Sequence, residues 1–213
     1  MRKNVFTQLC VLMTMLFALS MGLTSCNPND EGTTHEAVDL GLSVKWATCN
    51  IGASAPEQSG DYYAWGELSE KDLYTQETYK FYKDGKYENI GENISGTEYD
   101  VVRKKWGDGW RMPTMEEFEE LLNNCTWEWT SINGVNGYKV SGNGNSIFLP
   151  TTGWSEASDK EPNAPWAGFY WSGTMEEYSR TYKQSNILYF DMAKRHCEIM
   201  YRDYGFSVRP VIE

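Results

Sequence analysis

The chain has 213 residues, with 19 Lys and Arg against 30 Asp and Glu, a net charge of −11, and 15% aromatic residues. With no basic patch evident along the sequence, that balance excludes nucleic acid and anionic headgroups as partners and leaves a sugar, a protein or a cation. The length suffices for one domain with a sizeable core, which the tryptophans and tyrosines can fill.

The chain opens with Arg2 and Lys3, continues through an apolar run from Val11 to Leu19, and reaches Leu23-Thr24-Ser25-Cys26. This is the layout of a secretory signal, and the apolar run is too short to span a bilayer. The small residues before a cysteine resemble the lipobox of bacterial lipoproteins. Residues 1–25 then form a signal peptide, and Cys26 is the lipidation site that ties the protein to a bilayer through acyl chains. Losing Arg2 and Lys3 takes the net charge from −11 to −13. Residues 26–36 are polar and aperiodic, a flexible tether. Within it Asp30 and Glu31 resemble the acidic export signal of Bacteroides-type lipoproteins, which implies an outer-membrane, surface-exposed location.

Residues 37–213 read as a single domain. Strand formers from Val38 to Ala47 predict one or two short strands. A loop follows from Gly52 to Gly60, then a buried strand or turn at Tyr62 to Glu67. Leu68 to Gly96 has little periodicity and many tyrosines, an irregular insertion packed by its aromatics. Thr97 is placed as the N-cap of a first helix, with Asp100 in its first turn and Val101, Val102 and Trp106 on its inner face. Thr114 and Glu117 have capping-box spacing for a second helix, whose apolar face is Phe118, Leu121 and Leu122. Beyond it, Asn133-Gly134 and Gly142 to Asn145 mark turns between strands that include Val135 to Val140 and Ser146 to Leu149. Further strands are predicted at Gly168 to Ser172, Ile187 to Met192 and Phe206 to Val211. Strands, two helices and then an antiparallel meander argue an α+β fold.

Glu116, Glu117, Glu119 and Glu120 sit on the first turns of the second helix, mostly off its apolar face, where solvent and the helix dipole account for them. Trp106, Trp110 and Arg111 read as the joint that locks the two helices onto the sheet. Arg111 and Arg209 lie among apolar residues and are expected to be buried and paired with carboxylates, Glu67 and Glu120 being candidates. Cys49 and Cys125 are the candidate disulfide, since packing the second helix on the first strand would bring them together; two buried thiols are the alternative. Cys197 is then left as a thiol. With two histidines and no CxxC spacing, no metal or other cofactor is expected.

Val38 to Ala53, Tyr63-Ala64-Trp65-Gly66-Glu67, Gly109-Trp110-Arg111-Met112-Pro113-Thr114 with Glu117-Phe118, Ile147 to Pro150, Tyr170-Trp171-Ser172 and Ser207-Val208-Arg209-Pro210-Val211 together resemble the FISUMP domain, the Fibrobacter major-paralogue domain of exported Bacteroides-type proteins. The resemblance implies a C-type-lectin-like fold, two helices flanking a twisted antiparallel sheet whose first and last strands are neighbours. It implies a cysteine at both position 49 and position 125. Folds of this kind host sugar binding, protein binding and catalysis, so the family implies no single activity.

Glu161-Pro162-Asn163 matches the calcium and sugar triplet of mannose-type lectins, whose Trp-Asn-Asp partner is missing here. Calcium is the one cation to test at this loop. The candidate ligand site is the loop from Gly153 to Gly168, carried by Trp154, Glu156, Glu161, Asn163 and Trp166, with the two tryptophans as exposed rings that could stack on a sugar or anchor a protein. The expected function is a non-catalytic binding or adhesion module at the cell surface, its ligand a glycan or a protein. The alternatives are a glycan-active enzyme using Glu67, Asp108 or Glu156, and a structural surface component.

Overall fold

The computed structural model describes residues 35–156, 166–176 and 181–213. In chain order it contains β1 (Ala37–Val38), β2 (Lys45–Ala47), a 3-10 turn at Gln76–Thr78, β3 (Tyr82–Lys83) and β4 (Lys86–Tyr87). There follow α1 (Val101–Trp106), β5 (Trp110–Arg111), α2 (Met115–Asn124), β6 (Thr126–Ile132), β7 (Val135–Gly142), β8 (Asn145–Pro150), β9 (Gly168–Met175), β10 (Gln184–Phe190), β11 (Arg195–Tyr201) and β12 (Val211–Ile212).

These strands make four small antiparallel sheets, ordered β1-β2-β12-β5, β3-β4, β6-β7-β8 and β11-β10-β9. The fold is mostly β, which corrects the α+β, C-type-lectin-like expectation of two helices flanking one twisted sheet. The helix signals exist but are short. Gly107, at φ 86°, ends α1 after 6 residues, and extended Cys125 ends α2 after 10. Asp100, not Thr97, caps α1: its carboxylate accepts the amides of Val102 and Arg103, while the Thr97 hydroxyl donates to the Ile94 carbonyl.

Three two-residue hairpin loops, Asp84-Gly85, Asn133-Gly134 and Asn143-Gly144, place both residues at positive φ, the backbone that matches the twist of the flanking strands. The Asn133-Gly134 loop sets the register of β6 on β7, with Trp127 opposite Val140 and Trp129 opposite Tyr138.

The β9–β10 pair is buried on both faces and separates two cores. Because neighbouring side chains on a strand point to opposite faces, Phe169, Trp171, Ile187 and Tyr189 enter one core with Trp65, Val101, Val102 and Phe206. Tyr170, Leu188 and Phe190 enter the other with Trp46, Phe118, Leu121, Val140 and Leu149. Gly168 opens β9 because a Cβ there would lie 2.2 Å from the Phe190 ring. The insertion has a small core of its own, Ala64, Tyr74, Tyr79, Phe81 and Tyr87, so its aromatics stand in for periodic structure.

The residues around the helices make the joint. Thr114 and Glu117 exchange both capping hydrogen bonds, and the same Glu117 carboxylate grips Arg111 with two contacts of 2.9 and 2.6 Å. Trp110 is buried edge-on to Trp106, and His35 stacks on Trp106 at 3.6 Å between ring centres. Arg209 is fully buried, but the expected carboxylate is not there. Its guanidinium donates to Asn50 Oδ1 and to the carbonyls of Ala47, Thr48 and Phe148. The two proposed acids work elsewhere: Glu67 holds Lys71 and the Lys80 amide, and Glu120 caps Ser43.

The cysteine pairing is also corrected. Cys49 is disulfide-bonded, whereas Cys125 and Cys197 are both thiols, so the partner of Cys49 lies outside the described residues. Cys125 instead packs with Leu122 and Trp127 at the edge of the second core, where its sulfur would lie 3.1 Å from a Cβ on Gly142. Burial pushes the Cys197 thiol up to about 12 and raises that of Cys125 as well, so both resist attack at neutral pH.

Candidate functional site

β11 ends at Tyr201 and the chain runs on through Arg202-Asp203-Tyr204, so that an exposed and a half-buried tyrosine bracket two buried charged residues. Arg202 is fully buried, its guanidinium 4.7 Å from the centre of the Trp65 ring and 5.3 Å from that of Tyr79. It donates to the Tyr79 hydroxyl and to the carbonyls of Glu88 and Tyr182, while Nη2 has no hydrogen-bond partner. This arginine clamps the insertion to the end of β11. Asp203 is buried beside it and accepts the Tyr87 hydroxyl at 2.7 Å, and Gln76 in turn donates to that hydroxyl.

With the clamp closed, Tyr201 and Tyr204 face a groove of about 380 Å³ together with Tyr74, Tyr87, Glu156 and Asp203. The two tyrosines meet edge to face at 5.9 Å, and Tyr201 is 46% exposed. Tyr204 hydrogen-bonds Glu156, and burial with the nearby Glu156 and Asp203 carboxylates pushes its phenol up to about 12. The groove thus offers ring faces and edges alongside charged acceptors and an amide donor, the mixture that binds a polyhydroxylated ligand.

The loop picked out by sequence contributes one wall. Glu156 lines the groove, and Trp154 donates its indole N–H to Glu156 at 3.2 Å. Trp154 is not the exposed ring expected, since it packs on the first core edge-to-face with Phe169. Trp166 is 58% exposed. Glu161 and Asn163 lie outside the described residues, as does Cys26. The tyrosines of the opposite wall were missed. Their signal was available in the tyrosine-rich insertion and in Tyr201 and Tyr204, which bracket a buried Arg-Asp pair.

The three acids named for catalysis are engaged separately. Glu67 pairs with Lys71, Asp108 with Arg103 at the surface, and Glu156 serves the groove wall. Carboxylates do meet at Asp61 and Glu70, which share Lys105 and hydrogen-bond each other. Burial, then Asp61, raises Glu70. A pair in direct contact leaves no room for the roughly 5 Å or more between carboxyl groups that glycoside hydrolysis requires. Among the described residues no three His, Cys, Asp or Glu side chains are grouped to hold a metal ion, and no helix is long and apolar enough to cross a membrane.

No family model, no curated protein and no solved structure matches the chain.

Proposed function

We propose that this protein is a non-catalytic binding module for glycans, and that the groove between the insertion and the end of β11 is its ligand site. The observation that carries the reading is the crossed pair Tyr201 and Tyr204 standing over Glu156 and Asp203. Ring faces stack on the C–H surfaces of a sugar while the carboxylates accept its hydroxyls. Both acids already receive tyrosine hydroxyls, so they build the wall rather than face a bond to be broken. A glycan array probed with the mature protein, with and without calcium, tests it. Retention of neutral oligosaccharides should fall by roughly tenfold or more in Tyr201→Ala, whose ring is exposed enough to leave the fold intact. An array with no retained glycan, or a variant that binds like the parent, would overturn the reading.

The resemblance to FISUMP-domain lipoproteins supports an outer-membrane, surface-exposed location with the bilayer held through Cys26. A digest of the membrane-extracted protein, alkylated before reduction, tests the anchor. It should show acylated Cys26 and alkylated Cys125 and Cys197. A sulfur carrying a lipid thioether cannot also close a disulfide, so a peptide joining Cys26 to Cys49 would refute the anchor.

A further inference from the structure

The β9–β10–β11 sheet has one closed edge and one open edge. Along β9 the outward backbone is occupied, with the amides of Trp171, Gly173 and Met175 donating to the carbonyls of Ser207, Pro113 and Glu92. Along β11 two bonds fix which residues face β10: the Asp191 amide donates to the Lys194 carbonyl, and the Arg202 amide to that of Lys183. The register between these bonds is unbroken, so His196, Glu198 and Met200 turn their backbone groups to β10, and Arg195, Cys197 and Ile199 turn theirs outward. Among the described residues no strand and no other backbone group meets those three. A row of unpaired donors and acceptors is a template for another strand.

The side chains beside this edge decide what fits. Cys197 packs into the core that holds α2, so Arg195 and Ile199 stand on the α2 face and His196 and Glu198 on the other. Ile199 is 38% exposed although apolar. On its face a cavity of about 730 Å³ opens between α2 and residues 194–197, lined by Met115, Leu122 and Cys197 together with Glu119 and Arg195. On the other face the His196 imidazole lies 3.5 Å from the Glu198 carboxylate, both half-exposed.

We infer that this edge receives a second copy of the chain, β11 pairing antiparallel with β11 about a two-fold axis at Cys197. Cys197 then bonds its own counterpart and Arg195 bonds Ile199 of the copy, so every outward group finds a partner. A two-fold axis through the sheet keeps each side chain on its face. The imidazole of His196 in each copy therefore meets the Glu198 carboxylate of the other, a donor able to carry positive charge opposite an acceptor. Ile199 of the copy comes beside Arg195 and Cys197 at the mouth of the apolar cavity, where Glu119 shares the wall with Arg195. Neighbouring registers fit worse. Centring on Glu198 opposes two carboxylates, and centring on His196 sets Ile199 against Ala193, whose amide Asp191 already holds. The pairing is independent of glycan binding at the groove and stands or falls separately.

A contact confined to one strand is small, so association depends on concentration. Sedimentation of the mature, non-acylated chain between about 10 µM and 1 mM should show its mass rising toward that of a dimer and falling again on dilution. Hydrogen exchange over the same range should slow at the amides of Arg195, Cys197 and Ile199 only as concentration rises, whereas those of His196 and Glu198 are slow throughout. His196→Glu and Glu198→Lys should each weaken association roughly tenfold or more, and the two together should restore it, all three variants keeping the parent's melting temperature. A monomer at every concentration would overturn the assignment. So would association that leaves the three outward amides unprotected, protection of those amides already in the dilute monomer, or a double variant no better than the single ones.

Discussion

Replacing Asp100 with alanine is expected to lower the stability of the domain by about 4 kcal/mol, with a drop in melting temperature on the order of 10 °C. The carboxylate is fully buried and accepts four backbone amides: Gly96 and Met112 at Oδ2, Val102 and Arg103 at Oδ1. These belong to the end of the insertion, the first turn of α1 and the residue after β5. One side chain therefore ties three segments, alongside the Ser95 hydroxyl, which donates to the Met112 carbonyl, and Arg103, which donates to that of Gly96. Burial pushes this carboxyl above its ordinary value, and the four donors work against that shift. Removing the acceptor leaves amides with nothing in reach, and a buried unpaired donor costs about 1–3 kcal/mol. Asp100→Asn keeps the shape but turns an N–H₂ toward two of the donors, so it should recover less than half of the loss. Urea unfolding of the three proteins checks this. An asparagine variant as stable as the parent would show that shape rather than acceptor capacity matters here.

Much of the backbone was legible where local chemistry decides it. Asn133-Gly134 names its own turn, and Thr114 with Glu117 names its own helix start, because each signal is completed within four residues. The same locality explains the errors. Thr97 and Asp100 both suit a helix cap, and the choice between them is made by the amides of Gly96 and Met112, which only the fold brings near. The fold class failed for a related reason. Arg195 to Tyr201 is exposed over most of its length, so β11 lacks the apolar alternation that marks a strand, and its pairing with β10 is what makes it one. Of the candidate site, Glu156 and its loop could be read from composition. The facing wall, Tyr74 and Tyr87, lies more than 100 residues from Tyr201 and Tyr204 in sequence, and a buried arginine stacked on two rings closes that distance.

Arg209→Met should be among the most damaging single changes in the chain, costing roughly 3–5 kcal/mol although the replacement is apolar and of similar length. The guanidinium is inaccessible to solvent and uses its three nitrogens in three directions: Nε to Asn50 Oδ1 at 2.7 Å, Nη1 to the carbonyls of Ala47 and Thr48 at 3.0 and 2.7 Å, and Nη2 to that of Phe148 at 2.9 Å. It thus pins the last segment of the chain to the end of β2 and to β8. Burial draws its pKa down to about 10, so at neutral pH it remains a cation held by neutral acceptors rather than by a carboxylate. Methionine fills the space but withdraws the arginine's donors from four acceptors, and the loss comes from those four broken hydrogen bonds. The charge-conserving change separates this account from a simple need for positive charge. A lysine carries its donors on one atom, cannot follow three diverging directions, and should lose about 2–3 kcal/mol. Urea midpoints at unchanged slope measure both. If Arg209→Lys matched the parent, charge would be what the site needs; if Arg209→Met lost less than about 1 kcal/mol, the four hydrogen bonds would not be holding the chain end.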